Sequence, residues 1–232
     1  MTDTQPPAPP AEPHLVTAEL SPFERYRHVV IEGPIGAGKT SLTNRLADQF
    51  GVQRLLENAG ANPFLERFYR DPPRYALPTQ LAFLFGRIAQ LRELAQRDAF
   101  LQPAVSDFLL DKDPLFARLT LADDEFALYR QIFDSLQPHA PVPDLVIYLQ
   151  APPEALIERV RMRANPIEST MTGDYLRALA DAYSEFFHHY DASPLLIVNT
   201  ANLNPAAHDE DLAILLRQVQ GMRGRREFFG RG

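Results

Sequence analysis

Eight residues, Gly33-Pro-Ile-Gly-Ala-Gly-Lys-Thr40, constrain this chain more than any others. They satisfy the spacing G-x-x-x-x-G-K-[ST], between a short β-branched run at residues 26–32 and an amphipathic stretch over residues 39–50. A strand that turns through glycines into a helix can aim successive N–H groups at phosphate oxygens, and the helix start adds about half a positive charge. The pattern therefore predicts that Gly33, Pro34, Ile35, Gly36, Ala37, Gly38, Lys39, Thr40 and Ser41 wrap the phosphates of a nucleotide. Lys39 would reach the β- and γ-phosphates, and the Thr40 hydroxyl would face Mg²⁺. Such a loop does not name a reaction, because switches, ATPases and small-molecule kinases share it.

Around the loop, strand and helix patterns alternate. Strands are expected at residues 26–32, 53–57, 105–107, 144–150 and 195–199, and helices at 39–50 and 78–99. Parallel strands joined by helices need right-handed crossovers, which bury both faces of the sheet. The expected fold is therefore α/β in three layers, a central parallel sheet flanked by helices. Pro103 cannot donate to a central ladder, so it should precede the paired part of the third strand. Residues 1–22 are proline-rich and are expected as a mobile tail. Residues 23–220 are expected as the folded domain, and 221–232 as a basic, flexible C-terminal tail.

Composition narrows the function. The 232 residues include no cysteine, which excludes disulfides and thiolate metal sites and fits a reducing cytoplasm. No apolar run approaches the roughly 20 residues of a spanning helix. The formal charge of −7 argues against a nucleic-acid polymer as partner, although a small anion can still bind a local cradle. The neighbours His188 and His189 do not share a helix face, so packing is expected of them and not metal binding.

Beyond the loop, several motifs occur in order. Glu57 follows the second strand, and Asn62-Pro-Phe-Leu-Glu-Arg-Phe-Tyr69 comes next. Gln80 and Arg87 are seven apart and share a helix face. Val105-Ser-Asp-Phe-Leu-Leu-Asp-Lys-Asp-Pro-Leu-Phe116 follows, and then a stretch ending in Arg159, Arg161 and Arg163. From about residue 26 to 199 this order resembles the deoxynucleoside kinases, especially their bacterial purine-preferring branch.

The resemblance implies an ATP-dependent, Mg²⁺-dependent phosphorylation of a deoxynucleoside 5′-hydroxyl in nucleotide salvage, by a homodimer. It implies Glu57 as the base, Tyr69 and Glu168 at the sugar 3′-hydroxyl, and Gln80, Arg87 and Asp113 at the base. It also implies Asp107 with Thr40 at the metal, and Arg159 and Arg163 as a lid clamp on the phosphoryl group. Phe64 or Phe108 would crowd the 2′ position or stack on the base.

The family pattern is broken in two places. Phe108 and Leu109 stand where an arginine and a serine are expected, and Asn165 replaces a lid arginine, with Arg161 as a stand-in. Lys112 is either the substitute cation or an ordinary solvated lysine. Two other readings stay open at this stage. A nucleoside monophosphate kinase of thymidylate-kinase type would need more positive charge for its acceptor. A non-catalytic nucleotide sensor is favoured by the lost arginines.

Overall fold

The computed structural model describes residues 20–96, 102–137, 140–163 and 171–230. Six parallel strands form one sheet in the order β2-β3-β1-β4-β5-β6. They are β1 (His28–Glu32), β2 (Gln53–Leu55), β3 (Ala104–Ser106), β4 (Leu145–Gln150), β5 (Leu195–Asn199) and β6 (Arg226–Gly230). The helices are α1 (Lys39–Phe50), α2 (Leu65–Arg70), α3 (Pro72–Gln96), α4 (Asp113–Thr120), α5 (Asp123–Leu136), α6 (Pro153–Arg163), α7 (Gly173–His189) and α8 (Asp209–Gly221).

The central strands read as continuous apolar runs because both faces are covered. Along β1, Val29 and Ile31 point to one side, where they meet Leu42 and Leu46 of α1 and Leu212 and Leu216 of α8. Val30 points to the other side, toward Leu179, Tyr183 and Phe187 of α7. A third cluster forms where Leu55, Ala104 and Phe108 pack against α3 and α5. Every strand is parallel, so all the carboxyl ends open on one edge. The phosphate loop, Glu57, Asp107 and Thr200 all follow strand ends there, at the place where open α/β sheets bind ligands.

Several expectations need correction. The third helix begins at Pro72, so Pro78 is inside it and not at its start. An interior proline costs a backbone hydrogen bond, and here the packing of Ala76, Leu84, Ile88 and Leu91 overrides that local penalty. Pro103 does sit just before β3, where its carbonyl accepts from Gln53 N at 3.0 Å. The expected N-terminal tail extends to Pro22, but Leu20 packs against the core and Pro22 is buried. Residues 1–19 lie outside the described residues.

Within 221–232, expected as a tail, residues 226–230 are an edge strand. Arg226 explains the difference. Its guanidinium donates to the carbonyls of Phe187, at 2.6 Å, and Tyr190 at the end of α7, and Phe229 packs on the core. Arg226 therefore serves the C-terminus of α7. His188 and His189, expected to pack, are both exposed on α7.

One buried titratable group lies away from the strand ends. Ser106 Oγ donates to Phe108 O at 3.4 Å, so it accepts from His28 Nε2 at 3.0 Å, and His28 Nδ1 is left unprotonated with no hydrogen-bond partner among the described residues. Burial pushes this imidazole down to about 4, against the opposing pull of Asp144. The unfolded chain binds the proton first, so this site removes stability as pH falls from about 6.5 to about 4. The loss is of order 3 kcal/mol by linkage. We expect His28→Gln to flatten the stability profile across that window, as read by urea unfolding at each pH; an unchanged slope would contradict this origin.

Candidate active site

The loop after β1 is shaped by glycine at two points. Gly36 has φ 88°, and a Cβ there would lie 2.9 Å from the Leu156 carbonyl, so α6 packs directly on the loop. A Cβ on Gly33 would lie 2.7 Å from the Leu149 carbonyl at the end of β4. Neither approach leaves room for a side chain. Lys39 opens α1 and donates from Nζ to Gly33 O at 2.7 Å and to Pro34 O at 3.3 Å. Burial pushes its ammonium below the ordinary lysine range, Glu32, Glu57 and Asp107 pull it back up, and Lys112 adds to the depression. An anion seated in the loop would reverse that depression.

At the next residue, the Thr40 hydroxyl donates to Asp107 Oδ2 at 2.6 Å, and the other oxygen of Asp107 accepts from Glu57 N at 2.7 Å. Burial nevertheless raises the Asp107 carboxyl above its usual value, against these bonds and the charge of Lys39. A hydroxyl and a carboxylate meeting beside a phosphate loop fit Mg²⁺, which takes one or two protein oxygens together with substrate phosphates and waters. Among the described residues no three His, Cys, Asp or Glu side chains converge, so an all-protein metal cage is not present there.

Arg87 organises the acceptor side. Its side chain is 5% exposed and its guanidinium bridges Glu57 Oε1 and Asp113 Oδ1. Burial pushes Glu57 up, but Arg87 foremost, then Lys112 and Lys39, outweigh it and hold the carboxyl below its ordinary value. Glu57 is therefore ionised at neutral pH, as a proton acceptor must be. Asp113 is the opposite case, since burial raises it in spite of Arg87 and Lys112. It lies behind Arg87 and does not line the cavity, so the expected direct contact of Asp113 with a base is replaced by support of Arg87.

Between the loop and α3 lies a cavity of about 180 Å³, lined by Ile35, Lys39, Glu57, Tyr69, Gln80, Phe83, Arg87, Lys112, Phe116, Thr120 and Tyr175 among others. Six expected site residues, Ile35, Lys39, Glu57, Tyr69, Gln80 and Arg87, thus line one cavity. Thr120 donates to Phe116 O at 2.8 Å, so its oxygen can only accept from Gln80 Nε2, at 3.0 Å. That fixes the amide's orientation and leaves Oε1 and one N–H for a ligand.

Other expectations are not met. Phe108 is buried in the α3–α5 cluster and Phe64 does not line the cavity; the aromatic walls are Phe68, Tyr69, Phe83, Phe116 and Tyr175. Arg159 donates to Thr200 O at 2.8 Å and to its hydroxyl at 3.3 Å, tying α6 to the end of β5. Arg163 is exposed at the last residue of α6, one turn beyond Arg159. Glu168 and Asn165 lie outside the described residues. Lys112 is not solvated, because its side chain is 2% exposed.

Sequence reasoning missed Glu32, Tyr183 and Thr120. Glu32 carried a signal, a carboxylate ending an otherwise apolar strand one residue before the loop. Its oxygens accept from Gly33 N at 3.0 Å, Leu109 N at 2.6 Å and Tyr183 OH at 2.9 Å.

A parallel sheet, a phosphate loop after its first strand and an acidic side chain after its second define a P-loop kinase. The chain belongs to the deoxynucleoside kinase family, whose model matches residues 29–221. It is similar to the deoxyguanosine kinase of Bacillus subtilis, 33% identical over 178 residues that cover 75% of this chain and 85% of the relative. It is also similar to the deoxyadenosine kinase of Lactobacillus acidophilus, 31% identical over 190 residues, with 76% and 86% covered. A solved structure, deoxyadenosine kinase from M. mycoides with bound dATP, shares the fold with a TM-score of 0.73 at 22% identity, covering 84% of this chain and all of that one. The protein is thus an enzyme, a deoxynucleoside kinase that transfers a phosphoryl group to an alcohol. Among the described residues no helix is long and apolar enough to cross a membrane.

Proposed function

We propose that this enzyme uses ATP to phosphorylate the 5′-hydroxyl of a purine deoxynucleoside, as a step of nucleotide salvage. The observation that carries the reading is that Lys39, Glu57 and Gln80 line one cavity, so a phosphate-binding cation, a carboxylate and an oriented amide face the same space. A carboxylate beside the acceptor suits a neutral sugar alcohol and repels a monophosphate, which disfavours the thymidylate-kinase reading.

In this scheme Lys39 and the loop N–H groups hold the triphosphate, and Thr40 and Asp107 hold Mg²⁺. The metal supplies charge neutralisation at the phosphates when bound. Glu57 accepts the 5′-hydroxyl proton, and Arg87 keeps it ionised and aimed. Tyr69 borders the sugar, and the Gln80 amide offers a paired donor and acceptor to the base edge, where an adenine or guanine presents complementary groups. Phe83, Phe116 and Tyr175 give the base apolar and aromatic walls. The purine preference rests on the deoxyguanosine and deoxyadenosine kinase relatives.

Glu57→Gln is expected to lower kcat about 10²-fold while changing the nucleoside KM much less, because the loss falls on the chemical step. A pure KM effect would reduce Glu57 to a binding group. Steady-state rates with deoxyadenosine, deoxyguanosine, deoxycytidine and thymidine test the base choice. A kcat/KM highest for either purine supports it, and one highest for a pyrimidine overturns it.

A further inference from the structure

Lys112 carries an unassigned positive charge in the wall of this cavity. It follows β3 on a short 3₁₀ turn and its side chain is almost fully buried. Nζ donates to Tyr183 OH at 3.3 Å, lies 3.5 Å from Glu32 Oε1 and stands 4.6 Å above the centre of the Phe116 ring. Glu32 Oε1 already accepts from Tyr183 OH and Gly33 N, so it offers the ammonium attraction without a close hydrogen bond. An ammonium has three N–H donors, and only one has an acceptor within hydrogen-bond distance among the described residues. A buried charge so incompletely bonded is costly. Anionic oxygen placed in the cavity it shares with Lys39 and Glu57 would remove that cost.

No side chain between Asp107 and Lys112 can do the same. Phe108 and Leu109 are buried and apolar, and Asp111 is itself acidic. Arg87 is held between two carboxylates.

We propose that Lys112 is a catalytic residue that contacts the oxygens of the phosphoryl group in transit, from the acceptor side. Lys39 holds the same group from the donor side. This rests on the kinase scheme above. In the step, the γ-phosphorus bonds to the nucleoside 5′-oxygen and its bond to the β–γ bridging oxygen breaks. That electron pair leaves with the nucleoside diphosphate, and the 5′-hydroxyl proton passes to the Glu57 carboxylate. Charge grows on the equatorial and bridging oxygens, and Lys112 meets it from a buried position. Glu32 and Tyr183 hold the ammonium in position, which links α7 to the phosphate loop.

The test compares Lys112→Met, Lys112→Arg and the double variant Glu32→Gln/Lys112→Met with the wild type. Each is measured by kcat, by nucleoside KM, by binding of a fluorescent ATP analogue and by thermal unfolding. Lys112→Met is expected to lose on the order of 10²–10³ in kcat, with KM and analogue binding changed only a few-fold. Lys112→Arg should stay within about tenfold of the wild type, since an anion-binding cation remains.

If Lys112 merely neutralises Glu32, the double variant regains activity; the proposal requires it to stay as inactive as Lys112→Met. A folded Lys112→Met with near-wild-type kcat, or recovery in the double variant, overturns the proposal. Should Lys112→Met fail to fold, a Lys112→Arg protein of normal melting temperature decides: substantial activity supports the role and a hundredfold loss refutes it. Inactivity of the wild type toward every deoxynucleoside would instead sink the scheme itself.

Discussion

Lys39→Ala is expected to cut kcat by roughly 10²–10³ and leave the fold intact. The structural side is favourable to folding. The ammonium bonds only two carbonyls of its own loop, Gly33 and Pro34, and alanine is a good residue for the first turn of α1. Removing the charge also relieves its repulsion with Lys112. The functional side is severe, because no other lysine or arginine lies within the loop to meet the terminal phosphates. A coupled assay of ADP release gives the rate, and a circular-dichroism melt reports the fold. Near-normal turnover in a folded Lys39→Ala protein would reject the donor site described above.

Arg87→Met should be damaging for a different reason. The guanidinium neutralises two carboxylates, one of which, Asp113, is fully buried. Breaking a buried pair by removing one partner costs about 3–5 kcal/mol, since the remaining charge has lost its compensation. The loss should show as a lower urea midpoint at pH 7.5. It should shrink on acidification: with the arginine gone both carboxyls titrate above their unfolded values, the folded state binds protons first, and stability rises as pH falls toward the ordinary carboxylate range. Arg87→Met/Asp113→Asn should recover part of the difference. A pH-independent loss, or no rescue, would show that Arg87 acts by packing on Phe83 and not by charge.

The sequence made some of this legible and hid the rest. The phosphate loop, α1 and β5 could be read to the residue, because each is a local pattern: glycines that turn, a β-branched run, a 3.6-residue stripe. The cavity residues Glu57, Tyr69, Gln80 and Arg87 came from motif order and meet as expected. What failed depended on contacts between distant segments. Arg226 looked like part of a basic tail until the carbonyls of Phe187 and Tyr190 came within its reach. Asp113 has the spacing of a ligand contact, but the Arg87 guanidinium stands between it and the cavity. Arg159 has the spacing of a clamp, and two of its five N–H donors go to Thr200. Lys112 was the sharpest case, since a lysine in a charged stretch reads as solvated. Only the juxtaposition of Glu32, Phe116 and Tyr183 shows why it is buried.

The central claim is that a triphosphate in the loop meets a neutral sugar alcohol held beside Glu57. The most direct measurement follows ³²P from γ-labelled ATP, with magnesium, onto deoxyadenosine, deoxyguanosine, their 5′-monophosphates and their 5′-deoxy analogues. The account predicts label at the 5′-oxygen of at least one deoxynucleoside and none on the monophosphates or the 5′-deoxy compounds. Label transferred to the monophosphates alone would contradict it.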